Sequence, residues 1–166
     1  ASVVNALSNW LTVEVRKEGS VYSQTYKRGH ADEEVKVIAS CGDEEHGTKV
    51  RFSPDDTIFE KTRFKEDDVK SRLHETAYLN PNLTIHFEDK RKDEIEKITY
   101  HEPEGIIGFI KDINKGSEAV HEPIYFKGES EGIFVEVAFQ YVNEFHENIH
   151  PYNSTDLMLH SVILSS

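Results

Sequence analysis

Residues 11–17, LTVEVRK, alternate apolar and polar side chains with a period of two. Leu11, Val13 and Val15 fall on one side and Thr12, Glu14 and Arg16 on the other, the spacing of a strand with one buried face. Lys17 continues the inward parity. Glu18-Gly19 supplies a turn, SVYSQTYKR runs back, and Gly29 ends the pair, so the chain commits early to an antiparallel hairpin. VKVIAS reads as a third strand, CGDEEHG as a polar loop, and TKVRF as a fourth strand that stops at Pro54. Further on, LTIHFED and EIEKITYH are joined by the charged turn KRKD, and PIYFKGE precedes GIFVEVAFQYV, the strongest strand pattern in the chain.

Helical spacing is confined to separate blocks. Val3, Val4 and Leu7 share a helical face in ASVVNALS, and Val69, Leu73 and Ala77 repeat at i, i+4 and i+8 in FKEDDVKSRLHETAYLN. Asp67 and Asp68 occupy the first turn of the latter, where the helix dipole favours negative charge. After Pro103-Glu104-Gly105, Ile106, Phe109, Ile110 and Ile113 form one stripe, with Gly116 past Lys115 as the expected stop. Strands in series with helices in blocks predict an α+β architecture: a mixed, mostly antiparallel sheet with helices on one face. The change of pattern at 103–105 is the expected domain boundary.

Charge narrows the function. With 31 Asp and Glu against 19 Lys and Arg, the net charge is −12, which repels a phosphate backbone unless the cations cluster. No apolar run approaches the ~20 residues that span a bilayer. Cys41 is the single cysteine, so no internal disulfide can form, and a reducing, cytoplasmic setting is expected.

Two constellations could carry chemistry. HENIH, His146 to His150, matches H-E-x-x-H, which in zinc peptidases sets two histidines one helical turn apart on the metal, with the Glu as general base. Pro151 follows His150 directly and disfavours the α conformation there. Asn143 and Asn153 flank the stretch, and His160 is the one candidate for a third ligand. Surface histidines are the better reading. A zinc hydrolase using His146, Glu147 and His150 and a non-catalytic β-rich interaction module stand as the alternatives. The second constellation is GTKVRF, residues 47–52. Thr48 shares a face with Val50 and Phe52, opposite Lys49 and Arg51, and so sets a hydroxyl on an apolar floor of the kind that receives flat, partly polar ligands. Lys17 could bring a cation over such a ligand.

Taken together, ASVVNALSNWLTVEVRKEG, HGTKVRFSPD, SRLHETAYLN with LTIHFEDKR, and HEPIYFKGESEGIFVEVAFQY resemble, in order and spacing, the ATPase region of bacterial type IIA topoisomerase B subunits. The resemblance covers residues 1 to about 149. It implies that 1–103 are the second half of a GHKL-type ATPase domain, and that 104–150 begin a transducer domain of ribosomal protein S5 domain 2-like fold. Residues 151–166 are a divergent tail, expected to lack regular structure.

By the same resemblance, Thr48 matches the family threonine that helps hold adenine through ordered water. Val50 matches the valine lining that pocket, and Ala1 matches a small residue at the end of the ATP lid. Lys17 stands where the family has an Arg at the pocket mouth, and a slip of one residue would offer Arg16 instead. The family's general-base Glu, its Mg-binding Asn, the Asp that reads the adenine amino group and the lid glycines have no counterpart here. The chain is therefore expected to be a fragment starting just after the lid, inactive alone. The intact protein is expected to use ATP and Mg2+, to dimerise through its ATPase domains, to join the topoisomerase A subunit as A2B2, and to act on DNA in the cytoplasm.

Overall fold

The structure, a computed structural model, describes residues 2–91, 93–144, 147–153 and 159–165, the side chains of 153 and 159–165 excepted. The chain forms two compact units, residues 1–64 and 65–166.

In the first unit a short helix α1 (Ser2–Ala6) leads into β1 (Ser8–Lys17), which is central in a five-stranded sheet. On one side it pairs antiparallel with β2 (Ser20–Lys27), from Leu11 opposite Tyr26 to Lys17 opposite Ser20. Glu18 and Gly19 at the turn both have positive φ, 52° and 73°, the geometry that matches the twist of a tight hairpin. On the other side β1 pairs with β5 (Gly47–Pro54), placing Val15 opposite Thr48, Val13 opposite Val50 and Leu11 opposite Phe52. The short β3 (His30–Ala31) and β4 (Lys36–Ser40) both pair with β2. Val37 and Ile38 are exposed in β4, so this segment keeps its extended form through backbone pairing.

Opposed residues of an antiparallel ladder share a face, and the two faces of this sheet differ in chemistry. Leu11, Val13, Val15, Thr48, Val50 and Phe52 form one. On the other, Glu14 pairs with Arg51 and lies 3.6 Å from Lys49, and the Thr12 and Thr25 hydroxyls are 3.3 Å apart.

The second unit opens with α2 (Glu66–Leu79), followed by the two-stranded β6 (Ile85–Asp89) and β7 (Glu96–Tyr100), paired from Ile85 opposite Tyr100 to Asp89 opposite Glu96. Next come α3 (Ile106–Ile113), β8 (Ile124–Ser130), β9 (Ile133–Gln140), β10 (Asn148–Asn153) and β11 (Leu159–Ser165). These four strands make a sheet of order β10-β11-β9-β8, in which β11 runs parallel to β9. The stripe expected on α3 is inward: Ile106, Phe109 and Ile110 are buried with Tyr78 and Ala138, and Ile113 packs against them. On α2 Ala77 is buried and Val69 and Leu73 half-buried, as their spacing requires. Asn114 donates to Gln140 at 2.9 Å and Gln140 to the His121 carbonyl at 2.8 Å, satisfying the buried amides beside this core.

The α+β class and the predominance of antiparallel pairing hold, with the strands divided among three sheets. One expectation changes. Segments 148–153 and 159–165, which reach into the tail expected to be irregular, are extended and paired. The run Ser161-Val162-Ile163-Leu164 has the composition of a strand, which the departure from the family pattern obscured.

Gly105 caps α3 with φ 59° and ψ −139°, a region essentially reserved for glycine. A Cβ there would stand 3.0 Å from Pro81 Cγ. Gly105→Ala is therefore expected to destabilise the second unit by about 1–2 kcal/mol, read as a lower urea midpoint. An unchanged midpoint would mean that the backbone relaxes out of this conformation.

Candidate functional site

The candidate site lies on the apolar face of the first unit. α1 lies over it, leaving a groove of about 430 Å³ floored by Leu11, Val13, Val50 and Phe52 and edged by Ser2, Asn5 and Tyr26. Val50 is about half exposed, so the floor is open to a ligand. Thr48 lies on the same face one pair further along, opposite Val15, with its side chain exposed. Its hydroxyl is therefore near the open end of the apolar strip, as the alternation in GTKVRF leads one to expect.

Lys17 shares that face by alternation, two residues beyond Val15, but it is not an inward side chain. Its side chain is 68% exposed, and the ammonium pairs with Glu18 at 3.2 Å. At the last residue of a strand the sheet no longer has a covering layer, so parity sets direction without burial. Arg16 is opposite Gly47 and Val21, on the Glu14 face, so Lys17 rather than Arg16 is the cation on the side of Thr48. Ala1 lies outside the described residues.

The groove depends on how α1 is held, and here a residue outside both sequence constellations is central. The Asp55 side chain is fully buried where β5 ends. Its carboxylate accepts from Thr57 N–H at 2.9 Å and the Thr57 hydroxyl at 2.7 Å, and Arg28 Nε is 2.7 Å from Oδ2. Its backbone N–H donates to the Leu7 carbonyl at 3.0 Å. One residue thus ties the end of α1, the end of β2 and the end of β5 together. The Thr57 donors, first the hydroxyl and then the N–H, hold its carboxyl below the usual carboxylate range, with Arg28 adding to the effect. The signal was present as Asp-x-Thr after a strand-ending proline, the composition of an Asx turn.

Among the described residues, the helix that the histidine constellation requires is not formed. His150 lies in the strand β10 with Pro151 beside it, so the helical turn that would bring two histidines onto one metal is missing at its second ligand. The His150 ring packs 5.8 Å from that of Phe109. His146 lies outside the described residues, as does the side chain of His160. Among the described residues no three His, Cys, Asp or Glu converge to hold a metal ion, and no helix is long and apolar enough to cross a membrane.

Comparison with known proteins places this architecture. No family model matches the chain. Among solved structures, it resembles the 43K ATPase domain of Thermus thermophilus gyrase B in complex with an aminocoumarin, at a TM-score of 0.74 and 24% identity over 99% of this chain and 57% of that one. It also resembles the topoisomerase IV ATP-binding domain of Francisella tularensis, at 0.64 and 30% over 79% of this chain and 35% of the other. The fold is thus that of a GHKL ATPase region.

In sequence the chain is 45% identical over 152 residues to the DNA gyrase B subunit of Archaeoglobus fulgidus, covering 89% of this chain and 23% of that protein. It is 43% identical over 150 residues to the DNA topoisomerase 4 B subunit of Staphylococcus aureus, covering 90% and 22%. Over about nine tenths of its length the chain is thus similar to the B subunits of type IIA topoisomerases. It spans less than a quarter of the length of these relatives.

Proposed function

We propose that the chain is the part of an ATP-dependent type II topoisomerase B subunit that forms one wall of its adenine pocket. The observation that carries this reading is the open apolar strip Leu11-Val13-Val50-Phe52 with the Thr48 hydroxyl at its end, in a chain 43–45% identical to B subunits. A purine is flat and apolar on its faces and polar at its edge, and this surface presents those features in the same order.

Val50 would meet the face of the base, Thr48 would reach its edge directly or through water, and Lys17 would stand at the mouth. Ala1 would border the nucleotide from the lid side. ATP supplies the free energy for clamp closure when bound and hydrolysed. This chain's residues bind and orient the base, and by the same resemblance the Asn that would hold Mg2+ has no counterpart among them. Residues 1–103 would belong to the ATPase domain and 104–150 to the start of the transducer. The whole protein would dimerise through its ATPase domains, assemble with the A subunit as A2B2, and pass one DNA duplex through another in the cytoplasm. The net charge of −12 supports leaving DNA contacts to other parts of the assembly.

A chimaera tests this. Residues 1–144 would replace the matching segment of the Staphylococcus aureus topoisomerase 4 B subunit. The chimaera is expected to bind ATP and to hydrolyse it. In that background Thr48→Ala is expected to weaken nucleotide binding by about 1 kcal/mol, roughly fivefold in Kd. A chimaera that folds but binds no nucleotide, or a Thr48→Ala affinity equal to that of the parent, would sink the assignment.

A further inference from the structure

A second concavity lies on the other flank of α1. Val3 and Leu7, at i and i+4, face a slot of about 260 Å³ that is closed by Phe52, Phe59 and Phe64. Ser2 and Asn5, at i and i+3, face the neighbouring groove. α1 is the ridge between them, and Val4 and Phe52 serve both walls. A ligand in the slot would therefore leave the floor at Val13 and Val50 free.

The chemistry of the slot differs from that of the groove. Phe52 and Phe64 meet edge to face, with centroids 6.2 Å apart and planes at 82°, the arrangement in which a further ring can stack or abut without a repulsive face-to-face contact. The polar groups are few: the Ser8 hydroxyl is already committed to the Val4 carbonyl at 2.6 Å, leaving Thr62. Hydrogen bonds that could read the edge of a base are thus scarce. Charge supplies the selectivity instead. Lys61 and Arg63 line the slot, both are exposed, and among the described residues neither has an ion-pair partner and no acidic residue lines the cavity. In a chain of net charge −12 this is a local reversal of sign, and such a patch attracts anions that the remaining surface repels.

We infer that the slot is a binding site for a small aromatic carboxylate, with its rings among Phe52, Phe59 and Phe64 and its anion held by Lys61 and Arg63. The volume falls just under the ~300–1,000 Å³ of pockets that take drug-sized molecules, which limits the ligand to one or two fused rings. Guanidinium is the natural partner for a planar carboxylate because its forked donors match both oxygens.

The test is titration of the full chain with 2-naphthoate, followed by methyl resonances in 1H–13C NMR. Saturable binding with a Kd of about 1 mM is expected for a ligand of this size with two exposed charge contacts. Its shifts should centre on Val3 and Leu7. The uncharged 2-naphthamide should bind about tenfold more weakly, and the double charge reversal K61E/R63E should weaken naphthoate by a similar factor. Both substituted side chains are exposed, so the β1–β2 resonances should be preserved. Equal affinity for the acid and the amide, or no effect of K61E/R63E, would reduce the slot to a greasy surface. Shifts centred on Val13 and Val50 would move the ligand to the neighbouring groove, and failure to saturate would remove the site. Each of these results overturns the inference and leaves the nucleotide reading untouched.

Discussion

Ile110→Ala is expected to lower the stability of the second unit by about 2–5 kcal/mol, the range for truncating a large aliphatic side chain in a packed core. Ile110 is 0% exposed and sits among Tyr78, Ile106, Phe109 and Ala138. The site is poorly able to collapse. Tyr78 and Phe109 are stacked at 5.0 Å and 17°, His74 stacks on Tyr78 at 4.6 Å, and the His74 ring nitrogen is 2.8 Å from Glu102. Moving one ring into the void would break contacts along the whole column. The loss should therefore lie toward the upper end of that range, and Ile110→Val should cost only about 0.5–1.5 kcal/mol. Urea unfolding monitored in the second unit reads both, with an unchanged m-value as the sign that only native stability has moved. A loss for Ile110→Ala no larger than that for Ile110→Val would show that the core closes over the cavity.

Asp55 is the corresponding point of vulnerability in the first unit. Asp55→Ala removes the acceptor for two Thr57 donors and the partner of Arg28 in a fully buried position. The unit is expected to melt about 5–10 °C lower, as for the loss of buried hydrogen bonds from a domain of this size. Arg28 is itself more than half exposed, so the ion pair contributes the smaller part. Asp55→Asn keeps an acceptor oxygen and should lose less than Asp55→Ala.

The two substitutions also separate charge from packing through pH. The Asp55 carboxyl titrates below its ordinary value in the folded state, so the unfolded chain binds its proton first as pH falls. Its charge-dependent stabilisation is then complete above about pH 4, the ordinary carboxylate value, and disappears as pH falls through the lower folded value. The stability gap between the parent and Asp55→Asn should accordingly narrow on acidification through that window, while the extra loss in Asp55→Ala persists. A gap independent of pH would show that the charge is not what the site uses.

The local structure of the first unit was legible to a useful degree. The period-two run from Leu11, the Glu18-Gly19 turn and the shared face of Thr48, Val50 and Phe52 all reappear in the paired register. The stripe on α3 was equally clear, since four large apolar residues at helical spacing leave few other ways to be buried. Motif spelling was a weaker guide. HENIH satisfies a metal-site pattern letter by letter, but Pro151 and the strand Asn148–Asn153 deny it the helix that gives the spacing meaning. Lys17 shows the same limit at the level of a single side chain, because alternation names a face and not the layer that would cover it.

What the sequence determined by itself was therefore local: period, turn position, the sign of the net charge and, through resemblance, the family. The tertiary structure alone decided which strands join beyond the hairpins, such as β5 on β1, that β11 runs parallel to β9, and that Asp55 is buried while its neighbour Asp56 is exposed. The physical reason is that periodicity reflects steric and solvation preferences within a few residues. Sheet partners and burial are settled by contacts between distant segments, such as Leu7 with Asp55 and Arg28 with Asp55, whose chemistry becomes meaningful only once the chain has brought them together.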